Sequence, residues 1–240
     1  MPSFDPVPDT LVPTRQGLHR LAAYVIAPVR YQATERFGLR ATEGGFGTPL
    51  FGDRRIRVHG TDLIDEQSGQ DRRTTIGSLA AAAEFLNGTV DPDTAAEHDT
   101  TALGDVNSDL GIDSAASLWL GQWFGTAFEA LKLVRADESS VDASEPQLWP
   151  GHFDPAIEIG DEDHRASYGA SPGDDGIAEP YLYVSIWWPD KLNIDRADEA
   201  WNSESFVGAQ LRVSDFPSGE DPTEVAAAFW RDARDRIAQA

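Results

Sequence analysis

The chain has no cysteine, a single methionine, and lysine only at Lys132 and Lys191. Without cysteine there is no disulfide, no thiolate nucleophile and no zinc–thiolate centre, and the redox compartment is left open. No apolar run approaches the roughly 18 residues that a membrane-spanning helix needs. The opening MPSFDPVPDTLVP lacks both a basic n-region and an apolar h-region, so no signal peptide is expected. Positive charge is also scarce, with 19 basic residues against 41 acidic and a formal net charge of −22. Such a surface repels phosphate backbones and anionic lipid, so neither nucleic acid nor a membrane is an expected partner. Arginine in place of lysine follows from GC-rich coding, but the size of the negative charge points further, to a halophilic protein of a salt-rich cytoplasm.

What is present is enough for a sizeable core. The chain has 240 residues, 40% of them hydrophobic and 10% aromatic. Four prolines make residues 1–13 an extended N-terminal arm. From Thr14, a candidate N-cap, Leu18, Leu21, Ala22, Val25, Ile26 and Val29 form a helical stripe, which Pro28 should kink or split. Strands are expected at 37–42, 49–51 and 54–59, with Ile56 and Val58 inward and Arg55, Arg57 and His59 outward. The polar run at 65–73 then closes this sheet segment. A helix opened by Thr75 or Ser78 and running to Leu86 ends the first half, 14–88, at Asn87-Gly88. Residues 89–112, acidic and poor in apolar content, read as a linker. In the second half, 113–240, the strongest helix of the chain covers 115–134, with Leu120, Trp123, Phe124, Ala127, Phe128, Leu131 and Val134 on its apolar face. A strand at 205–213 and a helix from Pro222 capped by Asp221 close it, with Val225, Ala228, Phe229 and Ile237 as the buried side. The fold class is α+β: a mainly antiparallel sheet flanked by helices, in two similar helix–strands–helix halves packed as one globular unit. RATEGGFGTPLF at 40–51 and RASYGASPGDDGIAEPYLYV at 165–184 share Arg-Ala, a glycine-rich loop and a proline before an apolar strand, which raises the question of duplication.

The richest stretch runs from Gln147 to Asp190. Pro180–Trp188 is its anchor, with Tyr181, Tyr183, Ser185 and Trp187 on one face and Leu182, Val184, Ile186 and Trp188 on the other. Both faces are apolar or aromatic, which predicts a central strand covered on both sides. A strand from Phe153 to Ile159 precedes it, placing His152, Asp154 and Glu158 on one face, and a short strand over 165–168 follows.

In this order, LHRLAAYVIAPVR, LRATEGGFGTPLFG, QLWPGHFDPAIEIG, YGASPGD and EPYLYVSIW resemble a family of uncharacterised prokaryotic proteins, mainly actinobacterial. The resemblance covers most of the chain outside the arm and the linker. It implies membership without mechanism, and carries over no activity, cofactor or catalytic residue.

The leading expectation is a non-enzymatic module for a small ligand or a protein partner, with His152, Asp154, Tyr168, Tyr183 and Trp187 as candidate binding residues. The first rival is a metal-dependent enzyme using His152, Asp154, Glu158 and His164, helped by His59 or His19. The second is a structural protein whose aromatic segment is a homo-oligomer interface. DVNSDLGID at 105–113 has acidic or amide side chains at calcium-loop spacing. It places Leu110 where glycine is needed and Ala116 where the bidentate glutamate belongs, so capping is the better reading. The loops 44–48 and 171–176 fit no phosphate-binding fingerprint and read as hairpin turns.

Overall fold

The computed structural model describes residues 4–98, 100–195 and 198–240. It is an α+β protein with two five-stranded antiparallel sheets, each preceded and followed by helices, so the two halves are similar in element order. Two compact units emerge: Asp5–Gly125 with Leu148–Asp154, and Phe4 with Thr126–Gln147 and Pro155–Ala240. The division therefore falls inside a helix, not in the 89–112 segment.

In the first unit, helix α1 (Leu11–Leu21) begins inside the proline-rich arm, before Thr14. Pro13 lies in its first turn, where a missing N–H has no intrahelical partner to lose. The interruption expected at Pro28 takes the form of a π-helical turn, Ala22–Ile26, which runs directly into α2 (Ala27–Thr34). In regular α geometry the Pro28 ring would collide with the Tyr24 carbonyl, and a wider turn relieves this. The freed Tyr24 carbonyl accepts instead from the Asp91 N–H at 3.0 Å. Glu35, left-handed at φ 56°, ends α2.

The first sheet is a meander of β1 (Arg40–Thr42), β2 (Gly45–Gly47), β3 (Arg54–His59), β4 (Asp62–Gln67) and β5 (Gln70–Thr75). The polar run expected to close the sheet is instead the β4–β5 hairpin. Ser68 and Gly69, at φ 53° and 76°, make a turn of the primed kind that matches strand twist. Charge pairs replace apolar alternation there. Asp65, buried in the sheet, receives Arg54 at 2.7 Å and Arg72 at 2.5 Å, while Glu66 receives Arg55 and Arg57. β5 is an edge strand exposed along most of its length, and its charged side chains blunt the edge. Of the 44–48 stretch only Gly44 belongs to the β1–β2 turn, Glu43–Gly44, and β2 follows it in close packing: a Cβ at Gly121 would lie 2.5 Å from the Gly45 nitrogen.

α3 (Leu79–Phe85) has Ser78 as its cap, with Asn87 left-handed after it. The 89–112 segment is attached to its unit, contrary to the linker expectation. It contains α4 (Pro92–Ala96) with Ala95 fully buried, and Arg20 donates to the carbonyls of Leu103 and Asp105. The calcium-loop carboxylates are taken by local backbone: Asp105 by Asn107, Asp109 by Gly111, and Asp113 by Ala116 at the start of α5 (Ser114–Arg135).

The second sheet is ordered β10-β9-β8-β7-β6, from β6 (Gln147–Trp149), β7 (Asp154–Ile159), β8 (Ala166–Ser171), β9 (Tyr181–Ile186) and β10 (Gly208–Arg212). α6 (Pro222–Ile237) packs on β9 and ties back to Asp137, which receives Arg231 at 2.8 Å and Arg234 at 2.8 Å. The two guanidinium groups hold the Asp137 carboxyl down at about 2. The buried side of α6 includes Val225, Ala226, Trp230, Ala233 and Ile237, whereas Ala228, expected inside, is exposed. The Arg40 and Arg165 motifs do not occupy equivalent positions: one opens the first strand of its sheet and the other directly precedes β8, the third strand of its own. The halves are alike in order of elements and unlike at this motif.

Candidate functional site

The expected site residues are dispersed. His152 is exposed in the turn before β7, whereas Asp154 is buried at 5% exposure. They do not alternate along one strand because Phe153 between them is left-handed at φ 58°, not extended. Its N–H donates to the Trp149 carbonyl at 2.7 Å and closes the turn. The ring of Phe153 goes into the core of the first unit, edge-on to Phe46 and Phe124 and stacked on His19 at 5.3 Å. His19 is half-buried, its Nε2–H shared between the carbonyls of Pro150 and Gly151 at 3.0 and 2.8 Å.

Glu158 and His164 lie in the other unit, each with its own partner. Strands β7 and β8 pair as a hairpin with Glu158 opposite Ser167, and the Glu158 carboxylate receives Arg165 at 2.8 Å. His164 Nδ1 faces Asp161 at 2.9 Å on the connecting turn. Among the described residues, no group of three or more His, Asp or Glu side chains is placed to hold a metal ion.

The candidate aromatic residues share a sheet but not a face. Tyr183 sits opposite Gly169 on β8 and Gln210 on β10, and Tyr181 opposite Ser171 and Arg212. Directly opposed residues point the same way, so these groups form one face. Tyr168 belongs to the other face, opposite Val184, and is buried. That burial pushes its phenol well above the usual range. Tyr168 is thus a core residue and cannot line an open site. β9 is interior to its sheet, but the expectation of cover on both sides is corrected. Leu182, Val184 and Ile186 are buried, as is Tyr181 on the opposite face, but Tyr183 and Ser185 beside it are half-buried, and the strand ends before Trp187 and Trp188, which are exposed. Trp187 donates from Nε1 to Ser167 at 2.8 Å, with the Arg165 guanidinium 5.7 Å from its ring centroid.

The partly open face holds a cleft of about 570 Å³. Its floor comes from Tyr181, Gln210 and Arg212, and one wall from Asn202, Glu204, Ser205 and Phe206 in the β9–β10 connection. Asp174, Gly176 and Ile177 of the 171–176 loop region and Asp215 after β10 complete it. The loop is closed by Asp174, whose Oδ1 accepts from the N–H groups of Gly176 and Ile177 and whose Oδ2 accepts from the Tyr181 hydroxyl at 2.5 Å. The β9–β10 connection is fixed by Asn202. Its amide donates to the Gln210 carbonyl at 3.0 Å and accepts from the Gln210 N–H at 2.7 Å, as a neighbouring strand would. Phe206 then stands edge-on to Tyr183, 6.3 Å between centroids. Of these residues sequence reasoning reached the tyrosine strand and the Asp174 loop, and it placed Ser205, Phe206, Gln210 and Arg212 on a strand at 205–213 that in fact begins only at Gly208. Asn202 and Glu204 sit in a connection with no hydrophobic period, and Phe206 lies in that connection and not on the strand.

No family model matches this chain, and no curated protein or solved structure shows significant similarity to it.

Proposed function

We propose that the protein is a non-enzymatic binding module whose ligand is a small molecule held in the cleft over β9 and β10. The observation that carries this is the cleft itself: about 570 Å³ lies within the 300–1,000 Å³ range typical of small-ligand sites. Its lining mixes aromatic surface with a few fixed polar groups, which suits orientation of a ligand. A catalytic reading has less support, since neither His152 nor His164 lines the cleft. The test is amide NMR of the labelled protein against a metabolite library in about 1 M KCl, where surface charge is screened. Binding here moves the signals of Gly176, Phe206 and Gln210. A library that leaves those three unmoved sinks the proposal.

A second reading, a protein or homo-oligomer interface, is favoured by one observation: Trp187 and Trp188 are 42% and 49% exposed side by side. Tryptophan is enriched at interfaces relative to the rest of a protein surface. Ligands or dilution that move only these two indole signals would transfer the case to that reading. The net charge of −22 supports a salt-rich cytoplasm as the setting. No helix among the described residues is long and apolar enough to cross a membrane.

A further inference from the structure

We infer that the ligand of the β9–β10 cleft is an organic cation, an amine or guanidinium carried on a compact apolar body. The inference rests on the cleft being a ligand site and adds the chemical class.

The first ground is the aromatic surface. Tyr181, Tyr183 and Phe206 follow one another at 6.4 and 6.3 Å between centroids, and Tyr181 and Phe206 reach the cleft. Ring faces attract cations, most strongly where water is partly excluded. The second ground is the charge that remains after internal pairing. Arg212, the sole cation among the described residues of the lining, faces Glu179 at 3.6 Å. Asp174 is occupied by the Tyr181 hydroxyl and two backbone N–H groups. Glu204 and Asp215 are exposed, and neither is in an ion pair among the described residues. The cleft therefore holds two carboxylates with no ion pair among the described residues, beside rings that favour a cation. An anionic ligand would meet those carboxylates with Arg212 already engaged.

The acidic surface as a whole attracts any small cation, potassium included, so the aromatic wall is what must discriminate. The probe is benzamidinium, with benzyl alcohol and benzoate as neutral and anionic controls, all at constant ionic strength. The readout is the shift of the Gly176, Phe206 and Gln210 amide signals. Benzamidinium should titrate these signals and the controls should not. Phe206→Leu should weaken binding roughly 2- to 30-fold, the range of a cation–ring contact. The double variant Glu204→Gln, Asp215→Asn alters only exposed side chains and should weaken it as well, with the amide spectrum otherwise unchanged. Equal titration by benzyl alcohol, or any by benzoate, would overturn the cation class while leaving the cleft a ligand site. Equal shifts with potassium in place of benzamidinium would also overturn it. Silence of all three signals toward benzamidinium overturns the inference, and the proposal beneath it falls only if the metabolite library leaves them unmoved too.

Discussion

The ring of Tyr183 lies across the main chain of Gly169 on the neighbouring strand, so close that a Cβ there would fall 2.5 Å from the phenol. An aromatic side chain thus takes the space that a residue 169 side chain would fill. Gly208, on the other side of β9, is tighter in a different way: a Cβ would meet the Val184 carbonyl oxygen at 1.8 Å. A phenol can swing aside and a backbone cannot. Gly169→Ala should therefore cost about 1 kcal/mol and Gly208→Ala about 3 kcal/mol, the two ends of the usual overpacking range. Urea unfolding of both variants checks the order, and the reverse order would contradict it.

The same sheet separates two tryptophans. Trp230 is fully buried, with its Nε1 donating to the Tyr183 carbonyl at 3.2 Å, whereas Trp187 is 42% exposed. Trp230→Ala should cost about 3–5 kcal/mol, and Trp187→Ala about 1 kcal/mol, since part of its area never leaves water. Equal losses would mean that the Trp187 face is covered.

His19 makes stability depend on pH. Burial pushes its imidazolium down to about 4 from the usual 6.5, against the help of the two carbonyls and with Arg15 and His152 adding repulsion. The unfolded chain therefore binds the extra proton between pH 6.5 and 4, and the folded one does not. The contribution is full above pH 6.5 and lost as pH falls toward 4, about 3 kcal/mol in all. His19→Gln cannot titrate, so its unfolding free energy should fall less steeply across that window. Parallel curves for the two proteins would rule His19 out as the cause.

Much of the architecture is written in apolar spacing. The α5 face from Leu120 to Val134 is buried as its period demands, and Leu182, Val184 and Ile186 mark β9 by alternation. Where other forces hold the chain, spacing says nothing. The β4–β5 hairpin hides because Asp65 and Glu66 bind four arginines in place of an apolar face. The His152–Asp154 pair misleads because one left-handed residue, Phe153, cancels the strand alternation. The part of the cleft wall at Asn202 and Glu204 is invisible because Asn202 copies a strand with a side chain instead of a backbone.

Salt should stabilise the fold. At −22 the compact state crowds its carboxylates, and the screening length falls from ~10 Å at 0.1 M to ~3 Å at 1 M. Exclusion of salt from apolar surface acts in the same direction. The melting temperature should climb across a KCl series from about 0.1 M to above about 1 M. Sucrose, which screens nothing, should not reproduce the low-salt part of the rise. A flat or falling KCl curve would remove the halophilic reading.

The π-helical turn before Pro28 reaches beyond its own helix. An imino acid has no hydrogen to give, so one carbonyl of the π-helical turn, that of Tyr24, is left as an open socket. Asp91 plugs into it, and the same residue caps α4 through the Thr94 N–H. A segment too polar to fold by burying itself is thus seated by a vacancy in an element far away in the chain. Its order is encoded partly at residue 28. An alanine there would bring its own N–H to Tyr24, and the acidic segment would lose its seat without any change in its own sequence.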